Sequence, residues 1–105
     1  MDRLDALRQF VQRTPDDPFP RYGLAMELVN RGELEEACRV FQHLVDKMPD
    51  YVPSYLMYGN TLARRGERAR AAEVYRSGAA VSMRRGDAHA HGEIQAALAE
   101  LEGSD

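Results

Sequence analysis

Residues 24–41 read LAMELVNRGELEEACRVF, and residues 58–75 read YGNTLARRGERARAAEVY. The second stretch repeats the pattern of the first after 34 positions. Leu28, Arg31, Gly32, Glu33, Ala37 and Val40 fall on Leu62, Arg65, Gly66, Glu67, Ala71 and Val74. Leu24 falls on Tyr58, Ala25 on Gly59 and Phe41 on Tyr75. The matched positions keep size and polarity and recur at helical intervals. That is the signature of a structural repeat whose copies share one core.

Each copy reads as two helices. Pro18 and Pro53 stand near helix starts, where a missing N–H costs little. Gly32 and Gly66 are expected to close the first helices in the left-handed conformation. The second helices begin near Glu33 and Glu67, whose charge complements the helix dipole. Pro49 ends the second helix of the first copy. Met83 stands 34 positions later, so the corresponding helix of the second copy runs on to about Arg85. No alternating β-branched run predicts a strand.

The flanks continue the pattern. Leu4, Leu7, Phe10 and Val11 make one apolar face over residues 2–13. Asp87 is the expected N-cap of a last helix, with Ile94, Ala97, Leu98 and Leu101 on one face and acids on the other. Such a helix suits a solenoid end, with one face covering the last repeat and one meeting water. The prediction is therefore six helices, near 2–13, 18–31, 34–47, 52–65, 68–84 and 87–101, with Gly103-Ser104-Asp105 as a frayed tail.

Composition narrows the function. The chain has 105 residues, 44% hydrophobic and 30% charged, which fits a single soluble globular domain. A lone cysteine, Cys38, excludes an internal disulfide and reads as a small, partly buried filler. The apolar runs fall short of a membrane span, and the N-terminus carries two acids where a secretory signal would be basic and apolar. A cytoplasmic chain with no membrane partner is expected.

The formal net charge is −3, yet residues 61–85 hold seven Arg against two Glu, a local +5. That run reads either as a solvated helix face or as a basic edge for an acidic partner. Aromatics do not interleave with it as stacking platforms would, so no nucleic-acid partner is expected.

Catalytic chemistry has no visible seat. His89 and His91 are two apart and diverge on a helix, whereas ligands on one helix stand three or four apart. They and His43 read as surface histidines. Asp16-Asp17 and Glu35-Glu36 are adjacent pairs whose side chains diverge likewise. The expectation is no enzyme, no metal and no cofactor.

The 34-residue helix–turn–helix unit resembles the tetratricopeptide repeat. In the first copy the resemblance rests on Leu24-Ala25, Leu28, Gly32, Ala37, Phe41 and Pro49. In the second it rests on Tyr55, Tyr58-Gly59, Leu62, Gly66, Ala71 and Tyr75. It implies an all-α fold, a right-handed α–α superhelix of about six antiparallel helices. The chain would be one domain: residues 1–17 a degenerate preceding helix, 18–51 repeat one, 52–85 repeat two and 86–102 a capping helix. Small residues, Ala25 with Ala37 and Gly59 with Ala71, would let paired helices approach. Gly78, within the second helix of repeat two, would tolerate Ala.

The resemblance further implies a non-catalytic protein-interaction module. Its first helices would line a concave groove for a peptide or partner segment. The groove residues would be Phe19, Tyr22, Met26 and Asn30 from repeat one and Leu56, Asn60 and Arg64 from repeat two. Helical periodicity alone aligns Tyr22 with Met26 and Asn30, and Leu56 with Asn60 and Arg64. Asn bonds a peptide backbone in both directions, and Arg takes a carboxylate bidentately. Two arrangements stay open: an open groove, or a terminal helix folded over it that turns Phe19 and Met26 into core. A second function is also open, self-association into a homodimer through an exposed apolar face.

Overall fold

Three helices begin at an aspartate. The Asp2 and Asp17 side chains accept the N–H of Asp5 and Phe19, and Asp87 Oδ1 accepts that of Ala90, each satisfying a donor the helix leaves unpaired. Pro18 and Pro53 supply the first helical residue of two helices. The computed structural model describes residues 1–103. These form α1 (Arg3–Arg13), α2 (Pro18–Asn30), α3 (Leu34–Lys47), α4 (Pro53–Arg64), α5 (Arg68–Arg84) and α6 (Ala88–Gly103). No strand occurs among the described residues. Gly103 is helical rather than frayed; the rest of the expected tail, Ser104 and Asp105, lies outside the described residues.

The first helix of each copy ends in the same way. Gly32 has φ 77° and Gly66 φ 82°, a region costly for any residue with a Cβ. Around Gly32, its N–H bonds Val29 O at 2.9 Å and the Glu33 N–H reaches back to Leu28 O at 2.9 Å. Gly66 and Glu67 repeat the pattern on Ala63 and Leu62. This pair of hydrogen bonds closes the helix and turns the chain into an antiparallel partner. α5 reaches Arg84, three residues longer than α3, because no proline stops it; it ends instead in the same motif at Gly86.

Every helix packs against its neighbours in sequence, and α4 also touches α2 and α6. Among the described residues the backbones of α1, α3 and α5 stay apart, and these helices meet through side chains, Arg8 on Glu36 and Arg70 on Gln42. One layer, α2–α4–α6, is therefore drawn together while the other fans apart, and the stack curves with α2–α4–α6 inside. The thinnest dimension, 19 Å, is that of two helices. The core runs through both layers, with Leu24, Leu28, Phe41, Leu44, Tyr58 and Leu62 all buried. Phe41 stacks on Tyr58 with ring centroids 5.7 Å apart. On the fanned side the Tyr58 hydroxyl donates to Gln42 Oε1 at 2.5 Å and accepts from Arg70 at 2.8 Å, tying α4 to α3 and α5.

Three expectations are corrected by this packing, and one is refined. The atoms nearest to where Gly59 would bear a Cβ belong to the Tyr75 ring, as close as 2.2 Å, so Gly59 makes room for Tyr75 rather than for Ala71. At Gly78 a Cβ would stand 2.4 Å from the Tyr55 Cβ and 3.2 Å from Ile94 Cδ1, so this glycine is a required close approach between α5, α4 and α6. The acids of α6, Glu93, Glu100 and Glu102, are exposed as expected but flank the outermost positions, which Ala88, Gly92, Ala96 and Ala99 hold. The acids lie on its flanks because the helix turns Ile94 and Leu98 toward the core and thereby swings Glu93 and Glu100 toward α4. Of the histidines only His89 is exposed. His43 and His91 are half-buried, with His91 Nδ1 3.0 Å from Ala79 O.

The arginine run is largely paired. Arg76 meets Glu102 at 2.5 Å, Arg84 meets Asp50 at 2.8 Å, and Arg65 and Arg70 share Glu67. Asp50, between α3 and α4, and Glu102, on α6, thus bring counter-charge from outside the stretch that looks basic in sequence, while Glu67 supplies it from within.

Candidate functional site

The concave layer carries two hollows. The first, about 280 Å³, opens between α2, α4 and α6 over Tyr22, Leu56, Met57, Ala90 and Ile94. The second, about 440 Å³, lies at the other end of α4 between Asn60, Arg64, Tyr75, Ala97 and Glu100. α4 sits at the centre, and its residues 56, 60 and 64 stand one turn apart on the inner face.

The structure groups some of the expected groove residues and separates others. Tyr22 and Leu56 share the first hollow, and Asn60 and Arg64 share the second. Phe19 is 69% exposed but belongs to neither hollow, because it stands at the outer start of α2. Met26 is half-buried against the core, and Asn30 is exposed at the last residue of α2; neither belongs to the two hollows. α6 packs on α4 and α5 without touching the α2 backbone, so it is the far wall of the groove and not a lid. Met57, Ala90, Ile94, Ala97 and Glu93 also line the groove, and none of them was expected there. Their signal was the stripe Ala90, Ile94, Ala97 on a helix assigned only to capping.

Tyr22 is part core and part surface. Its ring meets Phe41 edge-on at 6.4 Å and Tyr51 at 5.7 Å. Burial, with the Tyr51 hydroxyl beside it, raises its phenol pKa above the usual value near 10. Asn60 has a folding role that its sequence position conceals: its Oδ1 accepts the Tyr75 hydroxyl at 2.6 Å. That leaves the Asn60 amide as a donor, held near Met57 Sδ at 4.0 Å. A partner would therefore find a donor at Asn60, not a group that bonds both ways. Arg64 is exposed, and among the described residues it makes no ion pair.

No group of three or more potential metal ligands occurs among the described residues. No helix among them is long and apolar enough to cross a membrane.

An α–α superhelix with an inner groove defines the class as a helical-repeat protein. The tetratricopeptide repeat family profile matches residues 18–43 and 52–77. The crystal structure of a tetratricopeptide repeat domain protein from Salinibacter ruber is 32% identical, covering 86% of this chain and all of that one, with a TM-score of 0.81. The chain therefore belongs to the tetratricopeptide repeat family. A TPR repeat-containing protein of Pseudomonas aeruginosa is 24% identical over 99 residues, 94% of each chain. The solution structure of a protein from Bordetella parapertussis, 24% identical over 97% of this chain and 89% of that one, shares the fold with a TM-score of 0.82.

Proposed function

We propose that the domain is a non-catalytic interaction module that holds a peptide or partner segment along α4, between α2 and α6. The observation that carries this reading is the apolar hollow over Tyr22, Leu56, Met57 and Ile94, whose floor is continuous with the core yet open to solvent. The partner's apolar side chain fills it. The Asn60 amide donates to a backbone carbonyl, and Arg64, one turn further on, takes a carboxylate. Phe19 adds an exposed ring at the mouth of α2. Residues 18–51 and 52–85 act as the two repeats, with the flanking helices completing the groove and its support. Work of this kind needs no cofactor and fits a cytoplasmic adaptor.

The test is affinity measured with Leu56→Ala, Arg64→Ala and Asn60→Ala against the unaltered domain. Loss with all three, while helical content is kept, supports the groove; full affinity in all three refutes it.

A second reading, self-association, is favoured by one observation. The outermost positions of α6, Ala88, Gly92, Ala96 and Ala99, are small and exposed, with its charged residues only on the flanks, where the end of a repeat stack is ordinarily polar. Sedimentation over a concentration series separates the two: a dimer weakened by Ala96→Glu supports self-association, and a monomer throughout refutes it.

A further inference from the structure

The floor and lip of the first hollow differ in kind. Its floor is aliphatic and aromatic, from Tyr22, Leu56, Met57 and Ile94. The titratable side chains at its lip are Asp87, which caps α6, and His89 and Glu93 from its first two turns, and no Lys or Arg lines it. Asp87 spends one oxygen on the Ala90 N–H at 3.0 Å, and the His89 ring stands 3.2 Å from Glu93 Oε1. Arg64 belongs to the other hollow, eight residues or about 12 Å along α4. The two ends thus differ, with an apolar pocket under a lip that holds two carboxylates and no Lys or Arg at one end, and Arg64 beside Glu100 at the other.

Resting on the groove reading above, we infer that this pocket selects a cationic partner segment, one in which an aliphatic residue is flanked by Arg or Lys. The aliphatic side chain and the methylene stem of the basic one cover the apolar floor, while the charged head stays at the wet lip. A guanidinium there can take Glu93 bidentately and displace His89, whose contact with Glu93 is exposed and weakly held. An acidic segment would set like charges against Asp87 and Glu93 while gaining the same apolar contact. The lip therefore discriminates and the floor binds.

The test uses two blocked peptides that differ only in charge, acetyl-Gly-Leu-Arg-Leu-Arg-Gly-amide and its Glu counterpart. Each is titrated into the domain while the methyl resonances of Leu56, Met57 and Ile94 are followed. The Arg peptide should shift these resonances with a Kd about tenfold below that of the Glu peptide, as two exposed charge pairs allow. Asp87→Asn with Glu93→Gln should abolish the difference; Asn keeps the helix cap. Glu93→Gln alone should halve the effect, and it serves if the double variant loses its methyl dispersion. Equal or better binding of the Glu peptide at these methyls overturns the inference and leaves the groove standing. Shifts confined to Val45 and Val74, on the fanned side, overturn both. No shift with either peptide overturns the inference.

Discussion

The Tyr75 hydroxyl, on α5, donates to Asn60 Oδ1, on α4, at 2.6 Å, so the polar residue at the middle of the groove is held by the helix behind it. Gly59, one residue before Asn60, has no side chain because the Tyr75 ring occupies that space. Position 59 admits the ring and position 60 receives its hydroxyl.

It follows that Asn60 and Tyr75 are coupled. Asn60→Ala and Tyr75→Phe should each cost about 1 kcal/mol of stability, and the double variant little more than either alone. Urea denaturation of the four proteins measures the cycle. Simple additivity would mean that the bond contributes nothing, and Asn60 would then serve binding only.

Gly78→Ala sets two effects against each other. Helix propensity favours Ala by about 1 kcal/mol. Against it, the new methyl must displace the Tyr55 Cβ, which belongs to a buried residue whose hydroxyl is also fixed, donating to Pro49 O at 2.6 Å. Overpacking of this kind costs roughly 1–3 kcal/mol, so a net loss of melting temperature is expected. A gain would show that α5 can shift away from α4 at little cost.

Gly66→Ala tests the helix end without touching the core. Nothing lies within 4 Å of the added methyl, so the loss, about 1–2 kcal/mol, comes from the positive φ alone. Thermal denaturation reads it directly, and Gly66→Asn should recover part of it because Asn tolerates the left-handed region better.

Alkaline pH should unfold the domain. Burial is the first cause raising the phenol pKa of each of the five tyrosines, Tyr22, Tyr51, Tyr55, Tyr58 and Tyr75. In the unfolded chain these phenols ionise near pH 10. Above that pH the unfolded state has released protons that the folded state still holds, so stability falls as pH rises toward the folded values. Below pH 10 the contribution is fully present. Helical dichroism and tyrosine ultraviolet absorbance followed together should therefore change in one transition above pH 10; phenols that ionise with helix intact would contradict it.

Much of this architecture is legible in the chain because its signals are local. Gly32 and Gly66 end helices wherever they stand, Pro49 stops α3 while Met83 lets α5 continue, and Asp87 caps α6. The unread part depends on which turn of one helix faces which turn of another. Tyr75 against Gly59, Tyr55 against Gly78 and the turning of α6 acids toward α4 are set by inter-helix rotation, to which an offset of 34 is blind. The groove was half legible for the same reason. The α4 residues Leu56, Asn60 and Arg64 lie in it as periodicity requires, while the wall formed by Ala90, Ile94 and Ala97 needed the placement of α6.

Isothermal titration of a purified partner against two variants tests the groove most directly. Leu56→Asp puts a charge on the groove floor, and Ser77→Asp puts the same charge on the fanned side between α3 and α5. Partial burial of Leu56 makes helical dichroism the necessary control for folding, with Arg64→Ala as the companion variant. A groove-bound partner loses at least about thirtyfold in affinity with Leu56→Asp, the loss of an anchor worth about 2 kcal/mol, and keeps it with Ser77→Asp. Unchanged affinity for folded Leu56→Asp and Arg64→Ala, with loss for Ser77→Asp, would move the binding surface to the opposite side of the molecule.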